Sequence, residues 1–328
     1  MKEFLKKNYK FIITLVLILL TFTIRFPYYI DAPGGIDDVS RKIDIDGFKS
    51  EGSFNLAYVR EYRATIPTLF ISLFNKDWKV VKEEEILLDT EDDTSYFNRD
   101  RILMEESISN AIKVAYEYSG KPIKIISSKL LVIYIAESAN TDLEVGDQIN
   151  LINGNSVSNK KDIEDIISNF KIGDKLNIQV TNKNKVYDRY AYIIEDNGLK
   201  KIGLLLSNIN KYETDPNVTV NVDKNESGSS GGLITALYIY NSLLKEDITH
   251  GYTIVGTGTI DLDGNIGSIG GVEYKLKSAV KANADLFIVP NDENYDEAIK
   301  LKEENNYDID VIGVSTFEEV IEYLKNIK

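Results

Sequence analysis

The sequence predicts an α+β protein: an N-terminal transmembrane helix, a β-rich middle module and an α+β C-terminal unit. Three observations carry this. Residues 11–24 form an unbroken apolar run; residues 121–196 alternate strand, turn and helix patterns; and residues 218–279 hold two strand–glycine turn–helix segments. The expected division is a tail and anchor at 1–27, a mixed region at 28–120, a β-rich module at 121–197 and a final unit at 198–328. The 28–120 region either packs with the final unit, making the module an insertion, or stands apart. Insertion is favoured, because 198–328 by itself is short of strands.

The run Phe11–Ile24 is diluted only by threonines, preceded by Lys2, Lys6, Lys7 and Lys10, and followed by Arg25, Phe26, Pro27, Tyr28 and Tyr29. Alone it is shorter than the ~17–25 residues of a spanning helix. Counting 9–26, with Lys10 and Arg25 reaching to the interfaces, it is long enough. No small-residue cleavage site follows, and the aromatic cluster suits a membrane interface. An uncleaved anchor is therefore favoured over a removed signal. The lysine excess places the N-terminus in the cytoplasm and the body on the extracytoplasmic face of the cell membrane.

With 328 residues, 43% of them hydrophobic, the rest of the chain can bury a sizeable core. The net charge of -14 argues against a nucleic-acid partner, since phosphate backbones are held by clustered Lys and Arg. There is no cysteine, so disulfides, thiolate nucleophiles and Cys-type metal sites are excluded. No cofactor or metal is expected: the sequence has no H-E-x-x-H pattern and no ligand cluster. It also has no G-x-x-x-x-G-K-[ST] loop, hence no ATP-binding motif.

In the mixed region, 52–64 reads as a strand, 66–75 as a short apolar helix, 83–94 as exposed acidic chain and 102–118 as a helix stopped at Gly120. The middle module reads as a strand at 130–136, a helix at 160–170 and a strand at 176–181. Between the first two lies Val145-Gly146-Asp147-Gln148-Ile149-Asn150-Leu151-Ile152-Asn153-Gly154, whose glycines relieve tight turns and whose isoleucines face a small core. This run and element order resemble a PDZ domain over about 75 residues. That resemblance implies capture of extended chain ends by strand addition. Ser127-Ser128-Lys129-Leu130 stands where the glycine-rich carboxylate-binding loop of that family is expected, so a purely architectural role stays open beside peptide binding.

The last unit carries the chemistry. A strand at 218–222 leads into Ser227-Gly228-Ser229-Ser230-Gly231-Gly232 and then an apolar helix at 233–244. A serine on a sharp strand-to-helix turn presents its hydroxyl beside a helix N-terminus and free backbone N–H groups. The N–H groups of the Gly228, Ser229 and Gly231 loop are candidate oxyanion donors. A flexible turn or an anion-binding loop is the plain alternative. Farther on, a strand at 252–260 passes through a turn into Ile269-Gly270-Gly271, and a helix begins at Val272 with Lys275 in its first turn.

The serine loop, the Thr257-Gly258 strand end, the Gly-Gly turn and the lysine four residues past it resemble the proteolytic domain of Lon. With the PDZ-like module and the anchor, the whole chain resembles the small PDZ-containing, membrane-anchored Lon-like serine proteases. By position, that resemblance implies Ser230 as nucleophile, Lys275 as general base and Thr257 as a supporting residue. The family's loop usually reads Gly-Pro-Ser-Ala-Gly; here it is Gly228-Ser229-Ser230-Gly231-Gly232. The neighbouring Ser227 and Ser229 are the other register choices, and the alignment favours Ser230.

Serine needs a base to take its proton, and a lysine serves only when neutral, against an ordinary pKa of ~10.4. Burial and a helix N-terminus both disfavour the ammonium form, and a fall to ~7–8 makes a usable base. Lys277 is expected to point elsewhere and stay solvated. The single histidine, His250, lies in a polar connection and is read as a loop residue, so a His-based triad is not favoured. The expected substrates are peptides or exposed protein segments, cleaved without ATP. The rival reading is a catalytically silent scaffold that holds a partner at the membrane.

Overall fold

A computed structural model describes residues 2–47 and 49–327 of the chain. Alternating apolar residues organise its larger part around one six-stranded sheet. In order, the strands are Asp310–Val314, Leu286–Pro290, Thr253–Gly256, Ser53–Arg63, Tyr28–Asp38 and Lys79–Lys82. The first four run parallel, and Tyr28–Asp38 is antiparallel to both its neighbours. Successive strand side chains point to opposite faces. Phe54, Ile254, Leu286 and Ile288 thus enter one core, with helices Asp93–Ser119, Gly232–Leu243 and Phe317–Asn326. Ala57, Val255, Phe287 and Val289 enter the other, with helices Val272–Lys281 and Glu293–Asn305. Parallel strands need cover on both faces, which is why Leu286–Pro290 is buried at every position.

Strand Ser53–Arg63 pairs with Thr253–Gly256, so the 28–120 region supplies strands to the same sheet as the C-terminal unit. A further pairing of Ile43–Ile45 with Val218–Val220 ties the same region to the strand leading into the serine loop. The helix expected at 102–118 is longer, Asp93–Ser119. It starts at the Asp92 cap and ends at Gly120, whose φ of 66° is the left-handed geometry glycine accepts. Part of the stretch expected to be exposed acidic chain is thereby ordered; the Glu91 side chain is 2% exposed and bonded to Arg99.

The PDZ-like module has its own core of Leu130, Val132, Ile149, Ile152, Ile163 and Ile178, among others. Its sheet runs Leu204–Thr214, Ile123–Ile135, Gln148–Ile152, Lys175–Asn182 and Lys185–Tyr192. Gly146 and Gly154 hold φ of 94° and 82°, as tight turns require. The fully buried Asp147 ties the turn together, accepting from the Glu144 N–H and the Asn182 amide. Helix Lys160–Ser168 starts at an Asn159–Asp162 capping box. Two details differ from expectation. Ser127–Leu130 is no loop but the middle of the strand Ile123–Ile135, paired with Leu204–Thr214. That partner strand lies beyond residue 197 yet completes this sheet, a pairing no local pattern announces.

The expected transmembrane helix is corrected. A helix forms over Lys2–Thr23 with most of its apolar side chains exposed, but no helix among the described residues is long and apolar enough to cross a membrane. Lys6, Lys7 and Lys10 lie inside it. The apolar part that remains within the helix, 11–23, is about 20 Å long at ~1.5 Å per residue, against a hydrocarbon core of ~30 Å.

Candidate active site

Thr257, Lys275 and the backbone of Ser230 meet beyond the C-terminal end of strand Thr253–Gly256, where open α/β sheets leave a crevice. Helix Gly232–Leu243 packs on one face of the sheet and helix Val272–Lys281 on the other. Thr257, fully buried just past the strand end, links the second of these helices to the turn that precedes the first. Its hydroxyl accepts from Lys275 Nζ at 3.0 Å and donates to the Ser230 carbonyl at 3.3 Å. The Gly258 N–H donates to the same carbonyl at 2.8 Å, and the Gly258 carbonyl accepts from the Leu233 N–H at 3.1 Å. The serine turn is thus stitched to the strand end on two sides.

Ser230 lies in the turn immediately before helix Gly232–Leu243, with Gly231 as N-cap residue. Glycine is required at Gly232, since a Cβ there would stand 2.3 Å from Ser107 Oγ and 2.7 Å from Ile260 Cγ2. Of the expected oxyanion donors, Gly228 is corrected: its N–H donates to the Asp100 carbonyl at 3.0 Å, and its φ of 95° shapes the loop instead. Among the described residues, no hydrogen bond engages the N–H of Ser229, Ser230 or Gly231. These three groups sit at the positive end of the helix, where an oxyanion is stabilised.

Lys275 is 3% exposed, and burial pulls its amine from the ordinary value down to about 7. Among the described residues no carboxylate pairs with it, so nothing restores the ammonium form. The left-handed Gly271, at φ 70°, starts its helix close against the sheet, where a Cβ would meet Val59 Cγ2 at 2.7 Å. Val272, Leu276 and Ala279 of that helix are fully buried around the lysine stem. Lys277 points away as expected but is not simply solvated. It bonds to Glu273 at 2.7 Å and Asp77 at 2.9 Å, and these partners push its pKa up against the opposing effect of burial. His250 sits in a turn, its Nε2 bonded to the Leu324 carbonyl at 3.0 Å.

Several residues that hold the serine loop were invisible to sequence reasoning. Ser107 Oγ donates to the Ser229 carbonyl at 2.7 Å. Lys42 reaches both Asp37 and Glu226, bracing the segment before the loop. Arg101 donates to the Lys224 carbonyl at 3.3 Å. All come from the 28–120 region, at sequence separations no local motif reports.

Parts of the chain are similar to known proteins. Residues 217–326 match the model of the Lon protease (S16) C-terminal proteolytic domain. Over 95 residues the chain is 35% identical to Lon protease 2 of Bacillus subtilis (strain 168), covering 29% of this chain and 16% of that protein. The chain therefore spans only a small part of that relative's length. Among solved structures, the PDZ domain of the SdrC-like protein from Listeria monocytogenes is matched at 22% identity and TM-score 0.23. That match covers 25% of this chain and 92% of that one. The second domain of the Listeria protein Lin2157 is matched at 26% identity and TM-score 0.22, covering 25% and 87%. Over residues 217–326 the chain is thus similar to the proteolytic domain of a serine peptidase family.

Proposed function

We propose that this protein is a membrane-attached serine endopeptidase that cleaves peptides or exposed protein segments without ATP, using Ser230 as nucleophile and Lys275 as general base. The observation that carries the reading is a buried, unpaired amine held to the same hydroxyl, Thr257 Oγ1, that bonds the Ser230 carbonyl. A neutral Lys275 donates one N–H to Thr257 and keeps its lone pair for the serine proton. As Ser230 Oγ adds to the scissile carbonyl, Nζ takes that proton. The N–H groups of Ser229, Ser230 and Gly231 stabilise the resulting oxyanion. The ammonium then gives its proton to the leaving amine, and the free amine next activates the water that releases the acyl group. Independence from ATP is supported by the lack of a G-x-x-x-x-G-K-[ST] loop in the sequence.

Attachment to the cell membrane is supported by the exposed apolar part of the N-terminal helix. Placement of the body on the extracytoplasmic face rests on the lysines before it alone. Cleavage of a casein or peptide substrate by the full chain, beside Ser230→Ala and Lys275→Ala, tests the activity. Turnover in the parent and none in either folded variant is the expected result. Equal cleavage by all three removes the dyad, and cleavage by none of them leaves the silent scaffold. Protease accessibility of the body in intact cells tests the membrane face.

A further inference from the structure

We propose that the segment 66–78 is a second membrane contact, which lays the body of the protein against a phospholipid surface at the headgroup–acyl boundary. Helix Ile66–Ser72 contains no buried residue, although most of its side chains are apolar. Ile66, Phe70 and Ile71 are exposed, and Leu73 and Phe74 just beyond are 77% and 76% exposed. A soluble body gains nothing from such a face, whereas a lipid surface buries it. The Phe26 N–H donates to the Ala64 carbonyl at 3.0 Å, and the Ala64 N–H donates to the Tyr28 carbonyl at 2.9 Å. The first apolar helix and this second one therefore leave the body from one point, and they touch.

The rim has interfacial chemistry as well. Trp78 stacks on Tyr62 with ring centroids 6.2 Å apart, and Lys76 and Lys79 are exposed beside it in a chain of net charge -14. Aromatic rings with flanking lysines suit the headgroup level of an anionic bilayer. Asp77 of the same loop is held by Lys277 at 2.9 Å, two residues from Lys275, so the contact is braced against the helix that carries the base.

This inference rests on the membrane attachment proposed above, and the test separates the two. Trp78 is the sole tryptophan, so its fluorescence reports this loop alone. The full chain is mixed with vesicles of phosphatidylcholine and phosphatidylglycerol, with and without brominated acyl chains, and compared with the Phe70→Glu/Phe74→Glu variant. The expected result is that both proteins float with the vesicles. Trp78 should be blue-shifted and quenched by brominated lipid in the parent only. Flotation with no quenching, or with equal quenching in both, overturns the second contact and leaves attachment through the first helix standing. Failure of the parent to float overturns both. A shift of Trp78 emission with protein concentration and no response to vesicles assigns the face to a second copy, and overturns the proposal too.

Discussion

Lys275 and Thr257 form the central contact of this protein: a buried amine donates 3.0 Å to a buried hydroxyl, and among the described residues no carboxylate pairs with it to hold the charge. A lysine in that setting titrates near neutrality instead of far above it. The consequences for catalysis and stability can be separated experimentally.

Ser230→Ala removes the nucleophile while leaving the turn's backbone bonds to Thr257 and Gly258 in place. Peptidase turnover should fall by roughly 10⁴-fold or more, with an unchanged melting temperature. Initial rates and a thermal melt on the same preparation check this.

The pH–rate profile should carry an acidic limb set by Lys275, whose value lies at about 7. Below it the amine is protonated and kcat/KM should fall tenfold per pH unit; above it the rate should level off. Lys275→Arg should be inactive throughout, because a guanidinium stays protonated.

Stability should also rise with pH, but over a higher window than activity does. Burial holds the folded-state value at about 7, below the ordinary 10.5, so the unfolded chain binds more protons between those values. Stability from this residue therefore rises with pH across that window, and its cost is greatest below about 7. Lys275→Met should raise the melting temperature at pH 6, and the gain should shrink towards pH 10. Melts across that range, compared with the parent, decide it.

Thr257→Val keeps the volume and removes the acceptor for the amine. Losing a neutral hydrogen bond of ~0.5–1.5 kcal/mol corresponds to roughly a 2–10-fold fall in kcat. Thr257→Ser should recover most of it, which a purely steric role of the side chain would not predict.

Gly232→Ala should destabilise the serine turn by ~1–3 kcal/mol, because the new methyl group meets Ser107 and Ile260. Ser107→Ala in the same background should recover part of that loss if the clash is with Ser107 Oγ. Denaturant melts of the three proteins measure both.

Much of this was legible in the chain because its signals are local. The Gly146 and Gly154 turns, the helix after Gly231, the Gly271 start and the Gly120 stop all follow from what single residues permit their own backbone. The serine, threonine and lysine stand out because glycine turns frame them. The Gly228 role was misjudged since its N–H is taken by Asp100, more than a hundred residues away in sequence. The apolar N-terminal helix, counted over 9–26, was overextended at its far end, where it stops at Thr23.

By itself, then, the sequence singled out the candidate serine, threonine and lysine and determined where the chain turns, since those depend on near neighbours. Only the tertiary structure decided that the amine is buried and unpaired. It also decided that the lysine helix and the serine turn converge on one threonine, and that strands from 28–63 complete the main sheet. Burial and convergence are made by residues far apart along the chain, and a pKa is set by what surrounds a group in space.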